Sequence, residues 1–151
     1  MMDLILWRHA DAESGDPDLE RRLTSKGQKQ AARMAQWLDH RLPDTCRILV
    51  SPAWRAQQTA LALKRKFKTR DELAPDVVPE SVLGAVHWPD SRETVVVVGH
   101  QPTLGRVAAL LLCGEDREWS IPKGALWWLS NRERSDGPSV ALRVVMTPDF
   151  V

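Results

Sequence analysis

Tyrosine is absent from this chain of 151 residues, cysteine occurs only twice, and neither sign of charge prevails. Cys46 and Cys113 have no Cys-x-x-Cys spacing, so the usual signature of a thiolate metal site or redox pair is missing. Both thiols are expected to be buried or half-buried packing groups. With 21 Lys and Arg against 20 Asp and Glu the net charge is +1, which argues against a general nucleic-acid-binding surface. Any positive potential that matters has to be local. The opening Met1–Arg8 has no basic leader, and its apolar run is too short for a signal peptide or a membrane span. A cytoplasmic protein with neither a membrane nor a nucleic-acid partner is therefore expected. Repeats, low-complexity tracts and interdomain linkers are missing too, so residues 1–151 are read as one domain. With no tyrosine, the aromatic load falls on seven tryptophans, most of them expected in the core or at its rim.

What is present is an alternation of apolar runs and amphipathic segments. Leu4–Trp7 is an uninterrupted apolar run ending in a charged pair, as a buried parallel strand requires. Asp11–Arg22 reads as a polar loop. Thr24 or Ser25 then caps a helix, Ser25 and Gln28 having capping-box spacing. Ala31, Met34, Ala35, Leu38 and Leu42 line its apolar face, and Pro43 stops it. Ile48–Val50 is a second strand, followed by Ser51-Pro52 as N-cap and first-turn proline of another helix. Ala56, Ala60, Leu63 and Phe67 form its inner face, while Lys64, Arg65 and Lys68 put positive charge at its end, where the helix dipole favours it. The competing use of that charge is to dock an acidic partner. Pro79-Glu80 opens a short helix through Val86. Thr94–Val98 carries four consecutive valines, suited to a central strand covered on both faces. Pro102 restarts the chain as a helix with Leu104, Val107, Ala108 and Leu111 on one face and Gly114 past its end. Strands at Ala125–Leu129 and Val140–Met146 follow, with a turn at Asp136-Gly137-Pro138 and with Trp127 and Trp128 on opposite faces. The expected fold is a three-layer α/β/α sandwich with a mostly parallel central sheet and an antiparallel edge.

Three short words follow three of these strands: Arg8-His9, Ser51-Pro52 with Arg55, and Gly99-His100. Strand carboxyl ends meet at one edge of a parallel sheet, where ligands bind. Two guanidinium groups and two imidazoles gathered there make a pocket for a dianionic phosphoryl group. Guanidinium grips phosphate through paired hydrogen bonds that lysine cannot reproduce, and helix N-termini after Ser51 and His100 favour anions as well. A lone histidine after a strand is more often a structural residue; its company changes the reading. His9 is the expected nucleophile, kept neutral by Arg8 and Arg55, with its second ring nitrogen donating to a main-chain carbonyl. Arg8, Arg55 and His100 then neutralise the equatorial oxygens. No P-loop and no convincing carboxylate cluster are present, and neither metal nor cofactor is expected.

Leu6-Trp7-Arg8-His9-Ala10 resembles the RHG signature of the histidine phosphatase (phosphoglycerate-mutase-like) superfamily. Arg22-Leu23-Thr24 with Gly27, Ser51–Thr59 and Val98–Thr103 are similar to its short bacterial branch, the SixA-like phosphohistidine phosphatases. The similarity runs from about Leu4 to Leu112 with the motifs in order. It implies a phosphoglycerate mutase-like fold, His9 as nucleophile, Arg8 and Arg55 as phosphate ligands and His100 as the second histidine of the pocket. One departure stands at the signature, where Ala10 replaces the usual glycine. If that position needs positive φ or close main-chain approach, alanine costs about 1 kcal/mol.

Only 44 residues separate Arg55 from His100, too few for the insertions that roof the pocket in relatives acting on sugar phosphates. An open pocket would admit a side chain presented by another protein. A departing imidazole, with a conjugate pKa near ~6.5, also needs little acid assistance. The expected activity is therefore metal-independent hydrolysis of phosphohistidine on a protein partner through a phosphohistidine enzyme intermediate. The alternatives are a small-molecule phosphomonoesterase of the same superfamily and an inactive phosphoprotein-binding module. The superfamily's usual acid lies between Arg55 and His100, which makes Glu80 the candidate proton donor. Its competing role is a first-turn carboxylate complementing the helix dipole. Asp11 and Glu13 are read mainly as solvated loop acids, and Trp54 as the best candidate for the pocket rim.

Overall fold

The computed structural model describes residues 1–151, the side chain of Glu133 excepted. Six strands form one sheet: β1 (Met2–Arg8), β2 (Arg47–Val50), β3 (Lys68–Thr69), β4 (Thr94–Gly99), β5 (Leu126–Arg134) and β6 (Gly137–Met146). Their spatial order is β3-β2-β4-β1-β5-β6. The first four run parallel, and β5 and β6 add the antiparallel edge. Four α-helices cover it: α1 (Ser25–Asp39), α2 (Trp54–Leu61), α3 (Pro79–Val86) and α4 (Thr103–Cys113). None is long and apolar enough to cross a membrane.

The two-residue period of a strand explains the layers. Leu4, Leu6, Val95 and Val97 point to one face, where they meet Val82 and Val86 of α3 and Leu104, Val107 and Ala108 of α4. Ile5, Trp7, Val96 and Val98 point to the other, against Met34, Ala35 and Leu38 of α1 and Ala56 and Ala60 of α2. Both faces are apolar, so β1 and β4 read as continuous hydrophobic runs rather than alternating ones. Trp127 and Trp128 divide between the faces in the same way, each against core residues.

Several boundaries differ from the sequence expectation, each for a local reason. Thr24, not Ser25, caps α1, accepting from the Gly27 N–H, so the Ser25–Gln28 capping box does not form. That helix ends at Asp39, before Pro43, and Leu42 is buried from the turn beyond. Ser51-Pro52 does not open α2; the helix begins at Trp54 with Ala53 at the N-cap. It also stops at Leu61, so Lys64, Arg65 and Lys68 lie outside its last turn. Lys64, past the turn that follows the helix, has φ +57, Arg65 pairs with Asp39, and Lys68 belongs to β3. The final hairpin is longer and its turn tighter than expected, with Gly137 and Pro138 already in β6. Cys46 is half-buried but Cys113 is exposed, contrary to its expected packing role.

Candidate active site

Strand register builds the site. Arg8 pairs with Gly99, so His9 and His100 are the next residues of adjacent parallel strands, and the His9 N–H donates to Gly99 O at 3.0 Å. Val50 pairs with Val98 on the other side of β4, and the Ser51 N–H donates to Val98 O at 3.0 Å. Ser51 therefore lands beside His100, and one turn of α2 brings in Arg55. The two imidazole centroids are 5.1 Å apart. Arg8, His9, Arg55 and His100 line one cleft of about 250 Å³.

The histidines are almost fully buried. His9 Nδ1 lies 2.8 Å from Ala10 O. A carbonyl only accepts, so Nδ1 carries the proton and the lone pair is on Nε2. Burial pulls the His9 pKa down to about 4, Arg55 and Arg8 adding to the shift against the hydrogen bond to Ala10. Desolvation rather than the neighbouring guanidinium charge is thus the main reason His9 is neutral. The His100 pKa falls to about 3, again chiefly by burial and then by His9 and Arg55. Near neutral pH both rings are uncharged. Standing positive charge in the cleft comes from arginines and Lys123 rather than from the histidines, and His100 enters as a hydrogen-bonding group. Its Nε2 is 2.7 Å from Ser51 Oγ, which also accepts from the Ala53 N–H at 3.1 Å. Ser51 stands two residues before the N-cap Ala53, so its hydroxyl serves His100 and the Ala53 N–H rather than the first turn of the helix.

Each side chain named as a phosphate ligand keeps a buried nitrogen without a partner: Arg8 Nε, Arg55 Nε and His100 Nδ1. Buried N–H groups in proteins are ordinarily paired. Other donors of the two arginines are anchored. Arg8 Nη1 holds Ile121 O at 3.0 Å, and Arg55 Nη1 and Nη2 hold Asp18 O at 2.8 Å and Asp18 Oδ2 at 3.2 Å. Asp18 also receives Arg21, which with Arg55 holds its carboxyl below the usual carboxylate range.

Ala10 fits without the strain considered above. It is absent from the positive-φ positions, its N–H donates to Thr59 Oγ1 at 3.0 Å, and its methyl packs with Leu23 and Ala31. The close approach falls instead at Gly27, where a Cβ would stand 1.9 Å from Asp11 O. Glycine there lets α1 press against the loop that carries Asp18.

Glu80 is exposed in the first turn of α3 and does not line the cleft. Asp11 is tied to Thr24 and Lys123, and Glu13 is exposed. Trp54 is 40% exposed and lines a groove with Leu19, Glu20, Arg22 and Pro52, beside the Asp18–Arg55 contact. Two acids the sequence reading did not single out, Asp18 and Asp76, do line the cleft, with Arg21, Gln101 and Lys123. Asp76 adopts φ +67, uncommon outside glycine. The loop containing Asp18 had no periodicity to mark it. The Pro75-Asp76 pair, a turn signal, was the available clue to the other rim.

The comparisons with known proteins agree with this geometry. A family model described as "Histidine phosphatase superfamily (branch 1)" matches residues 4–78. The phosphohistidine phosphatase SixA homolog of Haemophilus influenzae is 33% identical over 126 residues, covering 73% of this chain and 77% of the relative. Phosphohistidine phosphatase SixA of Escherichia coli K12 is 30% identical, with 76% of each chain covered. A solved structure of the protein histidine phosphatase SixA complexed with tungstate superposes with a TM-score of 0.82 at 25% identity, covering 99% of both chains. The order of the motifs, the sheet that brings them together and these relatives lead to one assignment: the chain belongs to the histidine phosphatase superfamily.

Proposed function

We propose that this protein hydrolyses phosphohistidine on a protein partner, without a metal ion, through a phosphorylated His9. The observation that carries the reading is the meeting, in one cleft, of the neutral His9 ring with three unpaired buried donors from Arg8, Arg55 and His100. The names of the SixA relatives support the substrate class.

His9 Nε2 holds the lone pair and attacks phosphorus in line. The P–N bond to the substrate imidazole breaks, and that imidazole, protonated on its other nitrogen from solvent, leaves as a neutral ring. Arg8 and Arg55 stay charged throughout and stabilise the equatorial oxygens as charge redistributes. With Ser51 Oγ–H donating to Nε2 of His100, the His100 proton sits on Nδ1, the nitrogen without a partner, and donates to a phosphoryl oxygen. Water then attacks the phosphorus on His9, releasing orthophosphate and restoring the lone pair. The Ala10 carbonyl holds the ring in one tautomer through both steps.

Hydrolysis is measured on a histidine-phosphorylated protein and on p-nitrophenyl phosphate with a chelator present. Faster release from the phosphoprotein is expected. Preference for the ester moves the assignment to a small-molecule phosphomonoesterase, for which Asp76 at the cleft is the candidate proton donor, since Arg21 and Arg55 keep Asp18 ionised. Binding of phosphate with no release from either substrate indicates a phosphoprotein-binding module.

A further inference from the structure

Away from the catalytic edge, a second cavity of about 510 Å³ opens where β2 begins and β3 leaves it partly uncovered. Arg47, Lys66, Phe67, Lys68, Arg70 and His87 line it, together with the backbone edge of β2, and among the described residues no carboxylate does. Arg47 is half-buried, yet its Nε and Nη2 are both fully buried and without a partner. Those two nitrogens form the side of the guanidinium that grips an oxyanion through parallel hydrogen bonds. Among the described residues, Arg47, Lys66 and Lys68 form no ion pair, while Arg70 is held by Glu72. Helix-dipole complementation does not account for the lysines, since α2 ends at Leu61.

We propose that this cavity is a binding site for a multiply charged organic phosphate with a flat apolar part, the chemistry of a nucleoside di- or triphosphate. Three features favour that ligand over a single carboxylate. The Arg47 fork is buried and unpaired at the cavity, so a narrow terminal group that displaces its cover gains two donors at once. Lys66 and Lys68 stand exposed at the mouth, placed for further charges on the same ligand. Phe67 and the β2 edge offer an apolar wall, and the volume suits a small molecule. The site lies at the start of the strand whose far end carries Ser51, so it is separate from the phosphoryl cleft.

Titration of the 15N-labelled full chain with ATP tests this. Saturable amide shifts at residues 46–49 and 66–70 are expected, with tripolyphosphate binding more weakly. Lys66→Glu with Lys68→Glu, both exposed, is expected to weaken ATP at least tenfold while leaving amide positions elsewhere unchanged. Shifts confined to residues 8–10 and 99–101, or an affinity unaltered in the double variant, would overturn the proposal. Equal affinity for tripolyphosphate would remove the nucleoside from it, and tighter binding of hexaglutamate would replace it with an acidic protein partner.

Discussion

At the residue scale, the cleft works by keeping ionisable groups in unusual but useful states. His9→Ala is expected to abolish turnover while phosphate still binds through Arg8 and Arg55, as calorimetry with orthophosphate would measure. Arg55→Ala should weaken both, with a transition-state loss of about 3 kcal/mol. Ser51→Ala removes the group that orients His100 and should lower kcat by roughly tenfold, the worth of one modest hydrogen bond. The His9 pKa near 4 also sets the pH dependence of free enzyme. The acid limb of kcat/KM belongs near pH 4 rather than near the ordinary histidine value, and a pH–rate profile checks it. These residues were legible because each sits at the end of an apolar run. Arg8-His9 and Gly99-His100 follow buried strands, and Arg55 lies a few residues past the end of β2, in the first turn of α2. Asp18 and Asp76 were not legible in the same way. Their position depends on where irregular loops fold back, and no local period encodes that.

At the element scale, the 11–22 loop is held to α1 by the Thr24 cap and by Gly27 against Asp11. It delivers Asp18 to Arg55, so a carboxylate competes with phosphate for one guanidinium. Asp18→Ala should therefore tighten inhibition by orthophosphate several-fold, measured as a lower inhibition constant. Gly27→Ala forces a methyl into Asp11 O and should cost about 1–3 kcal/mol in denaturant unfolding, the usual range for overpacking. Element identity was readable from periodicity, while ends were less so. Ser51 looked like a cap, but the folded protein uses its hydroxyl on His100. Nothing in the sequence marks the end of α2 at Leu61, and the left-handed residue beyond it, Lys64, is a lysine rather than a glycine.

For the whole molecule, both histidines of the cleft are buried with lowered pKa values, about 4 and about 3. The unfolded chain binds protons to them near pH 6.5 whereas the folded chain does not, so stability rises with pH across that interval. Their contribution is complete above about pH 6.5 and is lost as pH falls through 4 toward 3. Melting temperatures recorded from pH 8 down to pH 4 should be flat at first and then decline. The sheet also separates the molecule into two ends. Leu126 of β5 pairs with Trp7 near the cleft, but Asn131 already pairs with Met2, and the strand continues beyond to the turn before Gly137. Ser135 and Asp136 thus sit about as far from His9 as the sheet allows. A peptide tag or a surface tether grafted at that turn should leave catalysis intact, so the protein can be immobilised there with its mouth facing outward.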